Sequence, residues 1–379
     1  MPVFEMSDAN FPVDAEGRTY HVECRRGDIA NRVVTVGDPQ RAKLMAKKFD
    51  KILLERSSHR GFLIITGIYK DVPITVVSIG MGLSMMDFFV RETRAVVDGP
   101  MSIIRFGSCG SICDAKPGNI IVCTSSYGIM RNYDHFTNPF KKAESPYLIT
   151  DRVQGDPTLT LSLSTKLKNS MGKDSVFEGS NGCADSFYGS QGRLGSNFVD
   201  ENENLIPTLK KKYSDAVSLE MEAHMLYHLA AVSKDAQSGE QSIKAACALI
   251  VFADRTGNEF ITPEASQIAV EHCTEAIFNT LVEENFKGNN LHPVEGSVWE
   301  GSVPDAPIVS KQETPIETRA EEPKEPTPEA VKEASPEAVK EASPEAVKEA
   351  SPEAVKEASP KAVKDETPEA TEEDAEEEV

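Results

Sequence analysis

An arginine at the end of an apolar strand asks for an anion. Arg105 closes the run Ser102-Ile103-Ile104 and opens Arg105-Phe-Gly-Ser-Cys-Gly-Ser111, and a guanidinium there is costly to desolvate unless an opposite charge meets it. Gly107 and Gly110 let the backbone approach a ligand, and Ser108 adds a hydroxyl. A second cation lies in Val34-Thr-Val-Gly-Asp-Pro-Gln-Arg41: a strand feeds a Gly37-Asp38-Pro39 turn, Pro39 opens a helix, and Arg41 falls in its first turn. The Gly37 N–H and the Arg41 guanidinium are equipped to grip a small oxyanion, although an ordinary strand-turn-helix with a surface arginine reads the same way.

Two further segments offer complementary chemistry. Ser218-Leu-Glu-Met-Glu-Ala223 sends an apolar approach into a helix carrying Glu220 and Glu222. Carboxylates two residues apart on a helix point in different directions, and the positive end of the helix dipole favours their ionised form. Such a carboxylate can accept both hydroxyls of a ribose diol; acidic residues are also ordinary at helix starts. In the glycine-rich loop Phe187-Tyr-Gly-Ser-Gln-Gly-Arg193, Gln191 offers an acceptor and two donors and Arg193 a fork of donors. Together they match the mixed carbonyl and N–H edge of a pyrimidine, with Phe187 as an apolar wall. His224 and His228 have the spacing of two metal ligands on one helix, but no H-E-x-x-H pattern supplies a third, so packing or surface roles suit them better and no metal is expected. Neither Gly80-Met-Gly82 nor the Arg105 segment completes G-x-G-x-x-G, and no G-x-x-x-x-G-K-[ST] loop exists, so no nucleotide cofactor is expected. No nucleophile stands beside an evident base.

These groups need a scaffold to position them. β-branched runs at 32–36, 74–80, 102–107, 119–126 and 244–253 alternate with helix-length segments at 84–97, 157–169, 220–231 and 263–281. That alternation predicts an α/β domain whose central sheet is covered on both faces, with ligands at the carboxyl ends of its strands. Of 379 residues, 61 are acidic and 40 basic. Residues 301–379 hold 23 acidic and 9 basic side chains and no aromatic residue, too little apolar surface to offset roughly 1–2 kcal/mol of backbone entropy per residue. Within them E-A-S-P-E-A-V-K recurs from Glu333 to Lys356, with a proline every eight residues from Pro328 to Pro368. Such a repeat cannot bury a face, so a disordered, solvated spacer is expected. The net −7 left on residues 1–300 argues against nucleic acid as a partner. No window approaches 18 apolar residues and the acidic start lacks an apolar leader core, which predicts no membrane partner and a cytoplasmic location. Seven cysteines without C-x-x-C read as reduced core thiols.

Taken in chain order, G-D-P-x-R at Gly37–Arg41, R-x-G-[ST]-x-G at Arg105–Gly110 and E-M-E at Glu220–Glu222 resemble the nucleoside phosphorylase family, which includes the purine and the uridine phosphorylases, over residues 20–285. The Phe187–Arg193 loop resembles the uridine branch. The resemblance implies a three-layer α/β/α catalytic domain with a central mixed sheet over 20–290; an N-terminal extension at 1–19 precedes it, and the disordered acidic tail at 291–379, read from composition, is a departure from the family. The resemblance implies that Gly37, Arg41, Arg105 and Ser108 bind phosphate, joined by Arg60 from a neighbouring subunit. Met221 and Glu222 would hold the ribose hydroxyls, with His21 of an adjacent protomer against the ribose, and Phe187, Gln191 and Arg193 would read uracil. Asp254-Arg255 mixes the two branches: the arginine is like the uridine enzymes, whereas an aspartate in that place protonates the base in purine enzymes, which makes Asp254 a candidate acid. Inorganic phosphate is then a co-substrate, and the partners are a nucleoside, phosphate and further copies of the chain, at least a dimer with shared sites. The implied reaction is phosphorolysis of uridine, or of deoxyuridine or thymidine. Its rivals are a purine nucleoside phosphorylase, a nucleoside hydrolase of the same fold, and a catalytically idle nucleoside-binding or storage protein.

Overall fold

A computed structural model of the chain describes residues 5–137, 145–195, 197–234, 239–286 and 291–303. The chain divides into two units, Met1–Ser310 and Lys311–Val379, and every described residue belongs to the first. The acidic repeats, expected to be disordered, lie outside the described residues.

The strands run Arg32–Val36 (β1), Lys51–Ser57 (β2), Leu63–Tyr69 (β3), Val72–Ser78 (β4), Met101–Ser111 (β5), Ile120–Arg131 (β6), Tyr147–Ile149 (β7), Val153–Gln154 (β8), Val176–Ala184 (β9), Ala216–Glu220 (β10), Ile243–Asp254 (β11) and Glu259–Phe260 (β12). The helices are Pro39–Ala46 (α1), Leu83–Val96 (α2), Tyr133–Thr137 (α3), Pro157–Met171 (α4), Leu205–Lys212 (α5), Ala223–Val232 (α6) and Pro263–Val282 (α7). Local chemistry starts several of them. Asp38, Asp156 and Thr262 each precede a proline in the first turn and accept a hydrogen bond from a backbone N–H two or three residues on, the combination of side-chain cap and pre-set φ that opens a helix.

All strands join one mixed sheet. β5 is its hub: it pairs in parallel with β1 and β11 and antiparallel with β10. Because β11 continues through β6 and β9 to β10, five strands close on themselves, and β1, β4, β3 and β2 extend from that ring. Strand residues alternate between two cores. Val33, Ile103, Ala245, Cys247 and Leu249 pack with α2 and α6, whereas Val34, Ile104, Ala246, Ala248 and Ile250 pack with α1, α4 and α7. This period-two partition of near-continuous apolar strands is what a sheet covered on both faces demands, and it gives the three-layer α/β/α arrangement with a central mixed sheet. Among the described residues no helix is long and apolar enough to cross a membrane.

Several boundaries differ from expectation. The strand expected over 102–107 runs on to Ser111, because its glycine-rich second half stays paired with β11, so Arg105 lies mid-strand rather than near the strand's end. The helix expected over 220–231 begins at Ala223, because Glu220 is still in register with Cys183 of β9 and belongs to the sheet. The packed part of the chain also extends past residue 290. Trp299 is 2% exposed and packs with Ala30 and Ile68, while His292 donates its backbone N–H to Asn31 Oδ1 at 3.0 Å and accepts from the Asp98 N–H at Nδ1, also 3.0 Å. Trp299 is the one tryptophan of the sequence, and its ring supplies apolar area that the acidic repeats lack. Trp299→Ala should lower the unfolding free energy by about 3–5 kcal/mol, read from denaturant unfolding; a change below about 1 kcal/mol would show that the segment is not docked.

Candidate active site

A cavity of about 410 Å³ opens at the carboxyl ends of β1, β4, β5, β10 and β11, and nine of the expected residues line it: Gly37, Arg41, Arg105, Ser108, Phe187, Gln191, Arg193, Met221 and Glu222. Arg60, His21, Asp254 and Arg255 do not.

Arg105 stands at its centre, 3% exposed. Its Nη2 donates to Glu222 Oε2, and its Nε lies 3.6 Å from Glu220 Oε2. Nε and Nη1 have no hydrogen-bond partner among the described residues, so two buried donors of a cation remain unspent. The guanidinium fits because Gly107, on the same face of β5, has no side chain: a Cβ there would lie 3.2 Å from Arg105 Nε and Nη2 and 2.8 Å from Leu249 Cδ2. Arg41 approaches from α1. It is buried, donates Nη1 to the Phe106 carbonyl at 3.1 Å, and sits against the rings of Phe106 and Phe252. Burial, reinforced by the like charge of Arg105, pushes its pKa down to about 10. Two buried cations that repel each other beside unspent donors have the chemistry to hold an anion.

The carboxylates follow from the β10–α6 junction. Glu220, the last residue of β10, accepts from the N–H groups of Glu222 at 2.8 Å and Ala223 at 3.0 Å and from Asn181 Nδ2 at 2.6 Å. It thereby satisfies the first free donors of α6. Ser218 and Ser126 fix Asn181 in turn. Glu222 faces the cavity. Its Oε1 accepts from the Gly82 N–H at 2.6 Å, a donor aimed by a φ of 105° that suits glycine. The helix-dipole expectation that both carboxylates are kept ionised fails for Glu220: burial, with the neighbouring Glu222 charge, pushes its carboxyl up to about 7.

The opposite end is built by the 187–193 loop. Gln191 is buried, Arg193 Nη1 lies 3.3 Å from Gln191 Oε1, and the Arg193 guanidinium stacks 3.8 Å from the Phe187 ring centroid. Desolvation and the nearby Arg255 lower Arg193 to about 10. Asn202 braces the loop through the carbonyls of Gly189 and Arg193, and Arg255 donates to those of Gln191 and Gly192, each at 3.0 Å.

Asp254 corrects an expectation. It is 1% exposed and accepts from Lys116 Nζ at 2.6 Å and from the N–H groups of Thr256 at 2.8 Å and Gly257 at 2.9 Å. These donors, Lys116 first, pull its pKa down to about 2. The carboxylate lies off the cavity lining with three of its roughly four acceptor positions filled, which favours its ionised form over that of a proton donor. His21 and Arg60 are not among the residues lining the cavity and gather instead around Tyr20. The His21 ring stacks on Phe88 at 3.8 Å with Nδ1 2.6 Å from Glu92 Oε1, and the exposed Arg60 lies over the Tyr20 ring. His224 hydrogen-bonds the Ser126 carbonyl at 3.0 Å, as a packing histidine does. Sequence reasoning did not assign Gly82, Asn181, Met81 and Phe260; Met81 and Gly82 alone carried a signal, as part of the strand-ending Gly80-Met-Gly82.

Residues 31–277 match the Phosphorylase superfamily model, and the chain belongs to that family. It is 31% identical over 255 residues to the uridine phosphorylase of Thermococcus kodakarensis, covering 66% of this chain and 83% of that protein. A DeoD-type purine nucleoside phosphorylase of Photorhabdus laumondii is 37% identical over 114 residues, 28% of this chain and 47% of the relative, so the chain spans about half of that protein's length. A solved structure from work on two diverse uridine phosphorylases of the oomycete Phytophthora capsici superposes with a TM-score of 0.69 at 34% identity, covering 74% of this chain and all of that one. The Thermococcus protein is named a uridine phosphorylase, and the Phytophthora structure comes from work on uridine phosphorylases.

Glu220 leaves a pH signature. A carboxyl whose ordinary value of 4.5 rises to about 7 in the fold holds its proton more tightly folded than unfolded, so its contribution to stability is full below pH 4.5 and is lost as pH rises toward about 7. Denaturant unfolding of the parent and of Glu220→Gln should diverge across that window, the variant gaining on the parent as pH rises. A constant difference between pH 4.5 and 7 removes the assignment.

Proposed function

We propose that the chain is a uridine phosphorylase, cleaving uridine, with deoxyuridine or thymidine as possible further substrates, in pyrimidine salvage; uridine and inorganic phosphate give uracil and ribose 1-phosphate. The observation that carries this reading is the pair of unspent donors on buried Arg105, next to Arg41 and Glu222, in a cavity whose far end is walled by Gln191 and Arg193.

Phosphate, the family's co-substrate, takes the donors of Arg105, Arg41, Ser108 and Gly37 and needs no further cofactor. Glu222 has two donors on it already; a carboxylate offers about four acceptor sites, which leaves two for the ribose diol, with Met221 beside the sugar. Phosphate attacks C1′ as the bond to N1 of uracil breaks through a ribosyl-cation-like transition state, and the anion stabilises the charge that develops there. Uracil leaves with negative charge on its carbonyl oxygens, which Arg193 and Gln191 stabilise more in the transition state than in the ground state. Every electron pair moves between substrates, so no covalent enzyme intermediate is required. His21 and Arg60, off the chain's own cavity, serve the cavity of a neighbouring copy, which makes the working unit at least a dimer. Seven unpaired cysteines support a reducing, cytoplasmic setting. The catalytic unit is the domain from residue 20 onward.

Initial rates with uridine, thymidine, inosine and adenosine, each with and without phosphate, test the reading. Uridine should be turned over fastest and only with phosphate; equal rates without phosphate would make the protein a hydrolase, and a faster purine would overturn the base assignment. Arg105→Ala and Glu222→Ala should each lose at least about 100-fold in kcat/KM, the scale of removing one preorganised charged partner. Unchanged rates in both would leave a nucleoside-binding protein.

A further inference from the structure

Lys116 and Asp254 lie outside the cavity, yet the contacts they make lead into it. Asp254 ends β11, and its carboxylate closes the turn that follows: Oδ1 accepts from the N–H groups of Thr256 and Gly257, and Oδ2 from Lys116 Nζ. The fit is close, since a Cβ on Gly257 would stand 2.7 Å from Asp254 Oδ2. Arg255, inside this turn, is fixed at its base. Its N–H donates to the Ser111 carbonyl at 2.9 Å, and its stem packs on Gly110, where a Cβ would meet Cγ at 3.1 Å. From that base its guanidinium reaches the carbonyls of Gln191 and Gly192, both at 3.0 Å.

We propose that Lys116 and Asp254 are positioning residues for base recognition: their ion pair holds the 254–257 turn, the turn aims Arg255, and Arg255 fixes the backbone that presents Gln191 and Arg193. The proposal rests on the base-reading role given to those two side chains. It also gives a use to an aspartate that sequence alone assigns to proton transfer. A carboxylate serving as an anchor for three donors has no proton to give, and the cost of moving it would fall on the segment that reads the base.

The ion pair is a small part of the fold's stability, because the Lys116 side chain is 59% exposed and an exposed partner is screened by water. Its geometric effect is larger than its energy: two parallel hydrogen bonds from one guanidinium tie a whole loop segment, and misplacing groups that contact a substrate by a fraction of an ångström is felt in turnover. Lys116 variants are therefore expected to fold and to bind the base less well.

The experiment compares the parent with Lys116→Met, Lys116→Arg, Asp254→Asn and the Lys116→Met/Asp254→Asn double variant. Steady-state kinetics vary nucleoside and phosphate separately. Hydrogen exchange follows peptides covering residues 187–195 in the free protein. Lys116→Met should raise KM for uridine about five- to tenfold while KM for phosphate stays within about twofold, and exchange across 187–195 should accelerate without a comparable change in the β1 strand. Lys116→Arg should restore both readouts. Asp254→Asn should resemble Lys116→Met, and the double variant should be no worse than either single one, as expected for two residues acting as one unit. Parent-like exchange and parent-like uridine KM in Lys116→Met would overturn the proposal, as would equal rises in both KM values or acceleration spread over the whole domain. If the parent leaves uridine uncleaved while Lys116→Met still accelerates exchange across 187–195 alone, the assigned substrate is refuted and the hold of the ion pair on the loop stands.

Discussion

Burying a guanidinium in the middle of a sheet is the constraint on which the rest of this site depends. Arg105 sits on β5, between β1 and β11, whose backbone acceptors are already committed to ladder hydrogen bonds. Its counter-charges must therefore arrive from beyond the ladder, and they come from a strand-to-helix junction, with Glu220 at the end of β10 and Glu222 just ahead of α6. The two carboxylates divide the work. Glu220 closes the free N–H groups of α6, which leaves Glu222 as the strong partner of Arg105 and as the group that faces the cavity. Gly107 belongs to the same constraint, since a Cβ there would crowd the guanidinium at 3.2 Å and Leu249 Cδ2 at 2.8 Å.

Electrostatics within this cluster are unsettled by design of the chain. Burial first, and then the like charge of Arg105, lowers the affinity of Arg41 for its proton, while burial first, and then the charge of Glu222, raises that of Glu220. The sheet, held by two apolar cores, keeps these groups together regardless, so the repulsion is overcome during folding and is already in place when a ligand arrives. An anion entering between the cations relieves one of the two repulsions and finds donors that need not reorganise, which is the condition under which charged groups act most strongly on developing charge.

How much of this was legible from residues alone depended on distance along the chain. The α1 start was readable because its logic spans three residues, Asp38 accepting from Gln40 across Pro39. The strands β1, β5 and β11 and the helices α2, α4 and α7 announced themselves through apolar runs and spacing. β9, by contrast, reads as polar in Val176–Ala184, because Ser180 and Asn181 are spent on neighbouring strands and on Glu220. Without that strand the pairing of β10 was invisible, and Glu220 was assigned to the helix one turn too early. The closure of five strands into a ring depends on β5 meeting β11 across more than a hundred residues, which no local pattern encodes. Trp299 was available as a signal: a lone tryptophan beyond the expected boundary has little reason to sit in a solvated tail.

Asp254 carries the sharper lesson about what a residue letter means. Read beside its neighbours in sequence, it matches a proton-donating aspartate of the purine branch. Its chemistry is decided by Lys116, 138 positions away, and by two backbone N–H groups of its own turn. Once those donors are counted, the carboxylate is biased toward its ionised form and lies off the cavity lining, and Arg255 beside it spends its guanidinium on loop carbonyls. Family membership fixes the class of reaction that the cations and the ribose carboxylate can support. Which base that site accepts is a separate matter of hydrogen-bond accounting around the loop at its far end, where an acid and an anchor look identical until their partners are known.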